Sequence, residues 1–229
     1  MKQSPIIFNT EMVRAILDGR KTQTRRPMQP QPHKEWQPLS AKAEWFTPTV
    51  IDKKGFYQPA KNDVFGVSNE DQGFVSPFGA IGDQLWVRET FCIGKYEAED
   101  KSPEYGGEEL YISQCFGDND VIYKQHAVDI GCNLLEATWK PSIHMPRSAA
   151  RIILEVTDVR VERLNDISEQ DAINEGCDYP EIPGIGWKFK AAFNFKFLWK
   201  KIYGEQSLKS NPWVWVIEFK VISTTGGEA

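Results

Sequence analysis

The sequence predicts an α+β fold: a small mixed β-barrel with helices at its rim and long loop insertions, in a single domain over residues 1–229. Three observations carry that expectation. Segments with the alternating pattern of strands outnumber segments with helical spacing, and the helices fall between strands rather than in a block. A hydrophobic fraction of 41%, with 12% aromatic residues, is enough to fill a core and excludes global disorder. No internal repeat and no long linker divides the 229 residues.

The apolar run at 5–9 reads as a first strand. Asn9-Thr10-Glu11 then supplies a capping side chain and an acid in the first helical turn. Met12, Val13, Ile16 and Leu17 follow at helical spacing, and Gly19 stands where a left-handed stop is expected. Thr22 to Arg26 return to a β-type pattern that Pro27 ends. Periodicity is then lost to about Ala80, which marks an insertion at about 28–80; its Trp36, Trp45, Phe46 and Phe56 predict that part of it packs on the body. Gly82-Asp83 is a turn, after which Leu85, Val87 and Phe91 alternate with Trp86, Arg88 and Glu89 as in a strand. Residues 94–120 are polar and glycine-rich, a second insertion before the β-like Val121-Ile122-Tyr123.

The clearest strand runs from Arg151 to Leu164, and aliphatics in both registers of its first half predict burial on both faces. Ser168 opens a helix with Asp171 as its capping-box partner and Gly176 at its close. A third insertion spans 178–190. Phe195, Leu198, Trp199 and Ile202 form an apolar stripe on another helix that Gly204 stops, and Pro212 precedes a last strand, Trp213 to Ile222.

The charge balance is 27 Lys and Arg against 32 Asp and Glu, a net of −5, which argues against a protein held on nucleic acid by bulk electrostatics. The apolar runs are too short for a membrane span or a signal-peptide core, so a cytoplasmic location is expected. Cys92, Cys115, Cys132 and Cys177 show no CxxC pair and no nearby histidine pair. They read as reduced thiols, with no metal and no cofactor implied.

The densest local peculiarity is Arg20-Lys21-Thr22-Gln23-Thr24-Arg25-Arg26, with four cations and two hydroxyls in seven residues of an acidic chain. It reads either as a solvated edge strand or as an anion or nucleotide cradle. A lysine beside a hydroxyl is one way to perform acyl chemistry. In a regular strand Lys21 and Thr24 point to opposite faces, so they cooperate only if Lys21 belongs to the turn and Thr24 to the strand. As a base near neutrality, the Lys21 ammonium would have to be destabilised by ~4 kcal/mol, through burial or neighbours such as Arg20 and Arg25; protonated, it serves as an electrostatic clamp. Glu175 falls at a helix C-terminus, which disfavours its charge; it is either a solvated carboxylate or a group able to donate a proton or orient a lysine. His144 and Arg147 lie in Ser142–Arg151, which leads into the long strand. The arginines of that segment can meet a phosphate or ribose, or pair with Glu89 or Asp83. Trp86, Trp213 and Trp215 read as core residues, with a base-stacking platform as the other reading.

The segments Ile7 to Arg26, Gly82 to Thr90, Ser142 to Arg147, Asp166 to Gly176 and Asn211 to Phe219 resemble the ASCH domain of the PUA-like superfamily, in the long form found in phages and prophages. The matching pieces, 5–27, 82–91, 140–177 and 191–222, cover about half of the chain. The resemblance implies a β-barrel with a cleft rimmed by helices, and family members were long expected to bind RNA. A small bacterial subfamily hydrolyses N-acetylcytidine to cytidine and acetate with a Lys, a Thr and a Glu. Its Gly-Arg-Lys-Thr-x-Thr motif matches Gly19 to Thr24, which carries the catalytic roles onto Lys21 and Thr24, and the Glu onto Glu175. The expected activity is therefore amidohydrolysis of N-acylated cytosine nucleosides without a metal, with Arg20, Arg25, Arg26, Trp86, Arg88, His144 and Arg147 as substrate-binding candidates. The alternatives are an RNA-binding module, with RNA as partner, a ribonuclease, and a phage accessory protein without chemistry.

Overall fold

The computed structural model describes residues 1–100, 108–113, 120–135, 137–178 and 189–224. Cys115, most of the insertion at 178–190, and part of that at 94–120 lie outside the described residues.

The chain is α+β. Its strands are β1 (Gln3–Ile7), β2 (Gln23–Pro27), β3 (Glu44–Phe46), β4 (Thr49–Ile51), β5 (Tyr57–Pro59), β6 (Val64–Ser68) and β7 (Gly73–Val75). They continue with β8 (Gln84–Arg88), β9 (Phe91–Asp100), β10 (Glu108–Ser113), β11 (Asp120–Tyr123), β12 (Ile152–Arg163) and β13 (Trp213–Thr224). The helices are α1 (Thr10–Leu17), α2 (Lys124–Asp129), α3 (Glu169–Asn174) and α4 (Ala191–Ser210). The largest sheet has the order β1-β8-β12-β13-β2, and the smaller ones are β10-β9-β11, β3-β6-β7 and β4-β5. Among the described residues, no pairing joins β1 to β2 to close a barrel.

The residues divide into two compact units. The first holds Met1–Ser4, Gly19–Leu85 and Leu154–Val221, and the second Pro5–Asp18, Trp86–Ile153 and Ile222–Ala229. In the first unit β2 pairs antiparallel with β13, Thr24 opposite Ile217 and Arg25 opposite Val216. Val214 and Val216 share a core with Ala172 of α3 and with Phe195 and Trp199 of α4. Gly204 does interrupt α4, at φ 84°, but the chain resumes helical turns to Ser210. The insertion at 28–80 folds into short strands. Its Trp36 is fully buried, edge-on to Phe74 and Trp213 at 5.2 Å each, as a packed elaboration requires; Trp45 and Phe56 instead face solvent. Gly66 is needed where β6 meets β7, because a Cβ there would stand 2.0 Å from the Phe74 carbonyl oxygen.

In the second unit the Asn9 side chain accepts the Met12 N–H at 2.8 Å and caps α1 as expected. The stretch after residue 94 is not a loop throughout: β9 continues to Asp100 and pairs with β10 and β11. Its polar residues mislead because only one register is apolar. Cys92, Ile112 and Ile122 form a small core with Ala127 and Cys132, and that suffices for a ladder. The expectation for β12 also needs correction. Ile152, Leu154 and Val156 are buried while Ile153 and Glu155 are only partly covered, so one register carries the core in the first half, and Val159 and Val161 carry it in the other register beyond.

Candidate active site

The site in the first unit begins with the end of α3. Ser168 caps that helix reciprocally: its hydroxyl oxygen accepts the Asp171 N–H at 3.0 Å, and its own N–H donates to the Asp171 carboxylate at 3.3 Å. Glu175 ends the helix, donating its N–H to the Asp171 carbonyl at 2.8 Å, and Gly176 turns the chain at φ 83°. A helix end leaves carbonyls short of donors, and residues 21–23 add donors there, on the Asp171 carbonyl beside the Glu175 N–H. The Gln23 amide donates to the Asp171 carbonyl at 3.0 Å, the Thr22 N–H to that of Asn174 at 2.8 Å, and Lys21 Nζ to that of Glu175 at 2.9 Å.

Lys21 Nζ also donates to Glu175 Oε2 at 2.6 Å, with the two residues only 1% and 3% exposed. An ammonium at a helix C-terminus suits the macrodipole, and here it neutralises the carboxylate that the same dipole disfavours. The other oxygen, Glu175 Oε1, accepts from Arg25 NH1 at 3.4 Å. Arg25 further contacts Glu162 at 2.8 Å and Asp171 at 3.4 Å, and Arg160 joins Glu162 at 2.6 Å and Asp171 at 3.1 Å. Burial works against the Asp171 charge. Hydrogen bonds from Ser168 and Gln23 and the Arg25 charge nevertheless hold its carboxyl below the usual aspartate range. Cys177 is pushed up to about 12, by burial first and then by the Glu175 charge, against the pull of Lys21.

Thr24, 2% exposed, sits in β2 and by strand alternation faces away from Gln23 and Arg25. The backbone pairing breaks at Thr22, although Lys21 still shares the Glu175 carboxylate with Arg25. Thr22 donates its N–H to Asn174 but accepts from Phe219 on β13 at 2.9 Å, whereas a regular strand residue turns both groups to one neighbour. Lys21 thus belongs to the turn, where it forms an isolated bridge with Glu175, and Thr24 belongs to the strand.

No family model matches the chain, and no curated protein matches it. Among solved structures, the crystal structure of protein EF3133 from Enterococcus faecalis V583, of the family DUF984, is similar at 10% identity and a TM-score of 0.39. The alignment covers 100% of this chain and 86% of that one. A likeness at that level establishes neither fold nor function.

The remaining candidates divide between the units. Arg20 is exposed in the first unit, and Arg26, half-buried, donates to the Tyr203 hydroxyl at 3.4 Å. In the second unit, Trp86 is half-exposed under the Arg88 guanidinium, 5.4 Å from its ring centroid, and Arg88 donates to the Ile143 carbonyl. His144 and Arg147 are exposed on short 3-10 turns, Ser142–His144 and Arg147–Ala149. Arg151 is the arginine of that segment that pairs with Glu89. Among the described residues, no group of three or more His, Cys, Asp or Glu is placed to hold a metal. Sequence reasoning missed Gln23, Arg160, Glu162 and the pairing role of Asp171. Their signal was present: Asp158, Arg160 and Glu162 put three charges in the register that begins with Ile152, Leu154 and Val156, while Val159 and Val161 fall in the other.

Proposed function

We propose that the chain is an amidohydrolase that removes the acyl group from the exocyclic amine of N-acylated cytosine nucleosides, on a PUA-like, ASCH-type fold in the cytoplasm. The observation that carries the reading is the contact of Lys21 with Glu175. They lie 154 positions apart, yet they meet at 2.6 Å with almost no exposure. Burying such a pair is a weak source of stability, since packed apolar residues often serve as well or better.

In the proposed reaction the Thr24 hydroxyl oxygen attacks the acyl carbonyl carbon, and the carbonyl electron pair moves to oxygen beside the Lys21 ammonium. The Thr24 proton passes by way of Lys21 to the Glu175 carboxylate. The C–N bond then breaks and the cytosine nitrogen receives that proton. This nitrogen is an undemanding leaving group because its lone pair delocalises into the ring. Water hydrolyses the acyl-threonine, releasing the acid and restoring the hydroxyl. An RNA-binding reading has less behind it, because cations of the motif are committed internally: Lys21 to Glu175, and Arg25 to Glu162, Asp171 and Glu175.

Incubation with N-acetylcytidine is expected to yield cytidine and acetate. Lys21→Ala, Thr24→Ala and Glu175→Ala are each expected to lower turnover by ~10²-fold or more in protein that keeps its circular dichroism. A wild-type protein that releases neither product, but cleaves RNA or binds it with steep salt dependence, overturns the reading.

A further inference from the structure

We propose that Arg25 is a positioning residue for the Lys21–Glu175 pair, not a substrate contact; the inference rests on the hydrolase reading above. A glutamate held by one cation through one oxygen can still rotate about its last bond. Glu175 is held through both: Oε2 by Lys21 at 2.6 Å and Oε1 by Arg25 at 3.4 Å. Its main chain is pinned as well, by Asp171 and by Lys21.

Arg25 can do this because it is itself braced. Its side chain has no solvent exposure, Glu162 accepts from NH2 at 2.8 Å, and Asp171 stands 3.4 Å from the same nitrogen. The Phe195 ring lies 5.9 Å from the guanidinium carbon. A planar guanidinium presents five N–H donors in a fixed fork to these three carboxylates, whereas a lysine ammonium presents three on a freely turning end. The charged and titratable groups around Glu175 are Lys21 and Arg25 from the 21–27 segment, Asp171 from its own helix, Glu162 and Arg160 from β12, and Cys177 beside it. The cluster sets three carboxylates, Glu162, Asp171 and Glu175, against three cations, Lys21, Arg25 and Arg160, of which Lys21 and Arg25 reach Glu175. Losing Arg25 leaves Lys21 alone against the glutamate and removes a charge that helps hold the Asp171 carboxyl down. Two polar atoms in this layer, Gln23 Oε1 and Arg25 Nε, are buried with no hydrogen-bond partner.

The test compares wild type with Arg25→Met and Arg25→Lys. On N-acetylcytidine, Arg25→Met is expected to lower kcat at least tenfold with KM within twofold, and to move the acid limb of the kcat profile to higher pH. Arg25→Lys is expected to restore the acid limb in part but not kcat in full. A raised KM with unchanged kcat makes Arg25 a substrate contact and overturns the inference, as does a lower melting temperature with kcat and pH profile unchanged. An activity-independent arm follows Lys21 by carbon-13 NMR of labelled lysine, with Lys21→Met to assign its signal. Its Cε signal at neutral pH is expected to move in Arg25→Met relative to wild type. An unmoved Lys21 signal overturns the inference whether or not the substrate is turned over. A moved signal in a protein without turnover supports the coupling and overturns only the hydrolase reading.

Discussion

In the second unit, Arg151 and Glu89 form a closed pair. Nε and NH2 each donate to one carboxylate oxygen at 2.9 Å, NH2 also donates to Gln125 Oε1 at 2.7 Å, and the guanidinium stacks 4.2 Å from the Tyr123 ring centroid. In the first unit, Lys21, Arg25 and Glu175 are equally buried but share their partners unevenly, and polar atoms beside them stay unpaired. Both clusters forfeit hydration. The Arg151 pair recovers it in a bidentate geometry that leaves nothing to change, which suits a scaffold. The Lys21 cluster instead holds Glu175 between two separate cations, the arrangement that the proposed hydrolysis would use.

The sharpest way to break this contrast is to remove one cation from each cluster. Arg151→Met leaves Glu89 charged and buried without a partner, and is expected to cost about 3–5 kcal/mol in denaturant unfolding. Turnover per folded molecule is expected to be unchanged. Lys21→Met is expected to reverse the pattern, with turnover lost and the protein still folded. A loss of turnover in folded Arg151→Met would erase the distinction between scaffold and site.

Much of the candidate site was legible because its elements announce themselves locally. Asn9 and Ser168 are capping residues with the right partners three positions on, and Gly176 sits where the helix must turn, so the place of Glu175 at a helix end could be read directly. Contacts across the chain were less legible. Arg25 looked like a surface cation because it sits among other cations, yet its side chain is fully covered. Nothing near it in sequence names Glu162 or Asp171, which reach it only when β12 and α3 fold beside β2. The β9–β10 ladder was hidden for a different reason: its apolar register is sparse, and a polar stretch reads as a loop until its neighbours bury the few apolar residues it has.

A smaller effect sharpens the electrostatic side of the comparison. The Asp171 carboxyl is held below its ordinary value, so its contribution to stability is complete above that value and is lost as the pH falls through the lowered one. Wild type is therefore expected to lose stability as the pH falls below the ordinary aspartate value of 3.8. Asp171→Asn, which cannot titrate, is expected to lose less across that window, as read by the urea midpoint at each pH. Equal losses in the two proteins would place the acid sensitivity in another carboxylate.

The smallest effect separates the cap from the site it supports. Ser168→Ala deletes the hydroxyl that accepts from the Asp171 N–H and donates to the Asp171 carboxylate at 2.6 Å. The expected loss is about 1 kcal/mol of stability, the usual worth of a serine N-cap. Turnover is expected to change less than twofold, because Gln23, Arg25 and Arg160 still hold Asp171. The missing hydrogen bonds also release part of the constraint on its carboxyl. Acid unfolding of Ser168→Ala is therefore expected to begin at slightly higher pH than in wild type, and to coincide with it if Asp171 is governed by Arg25 and Gln23 alone.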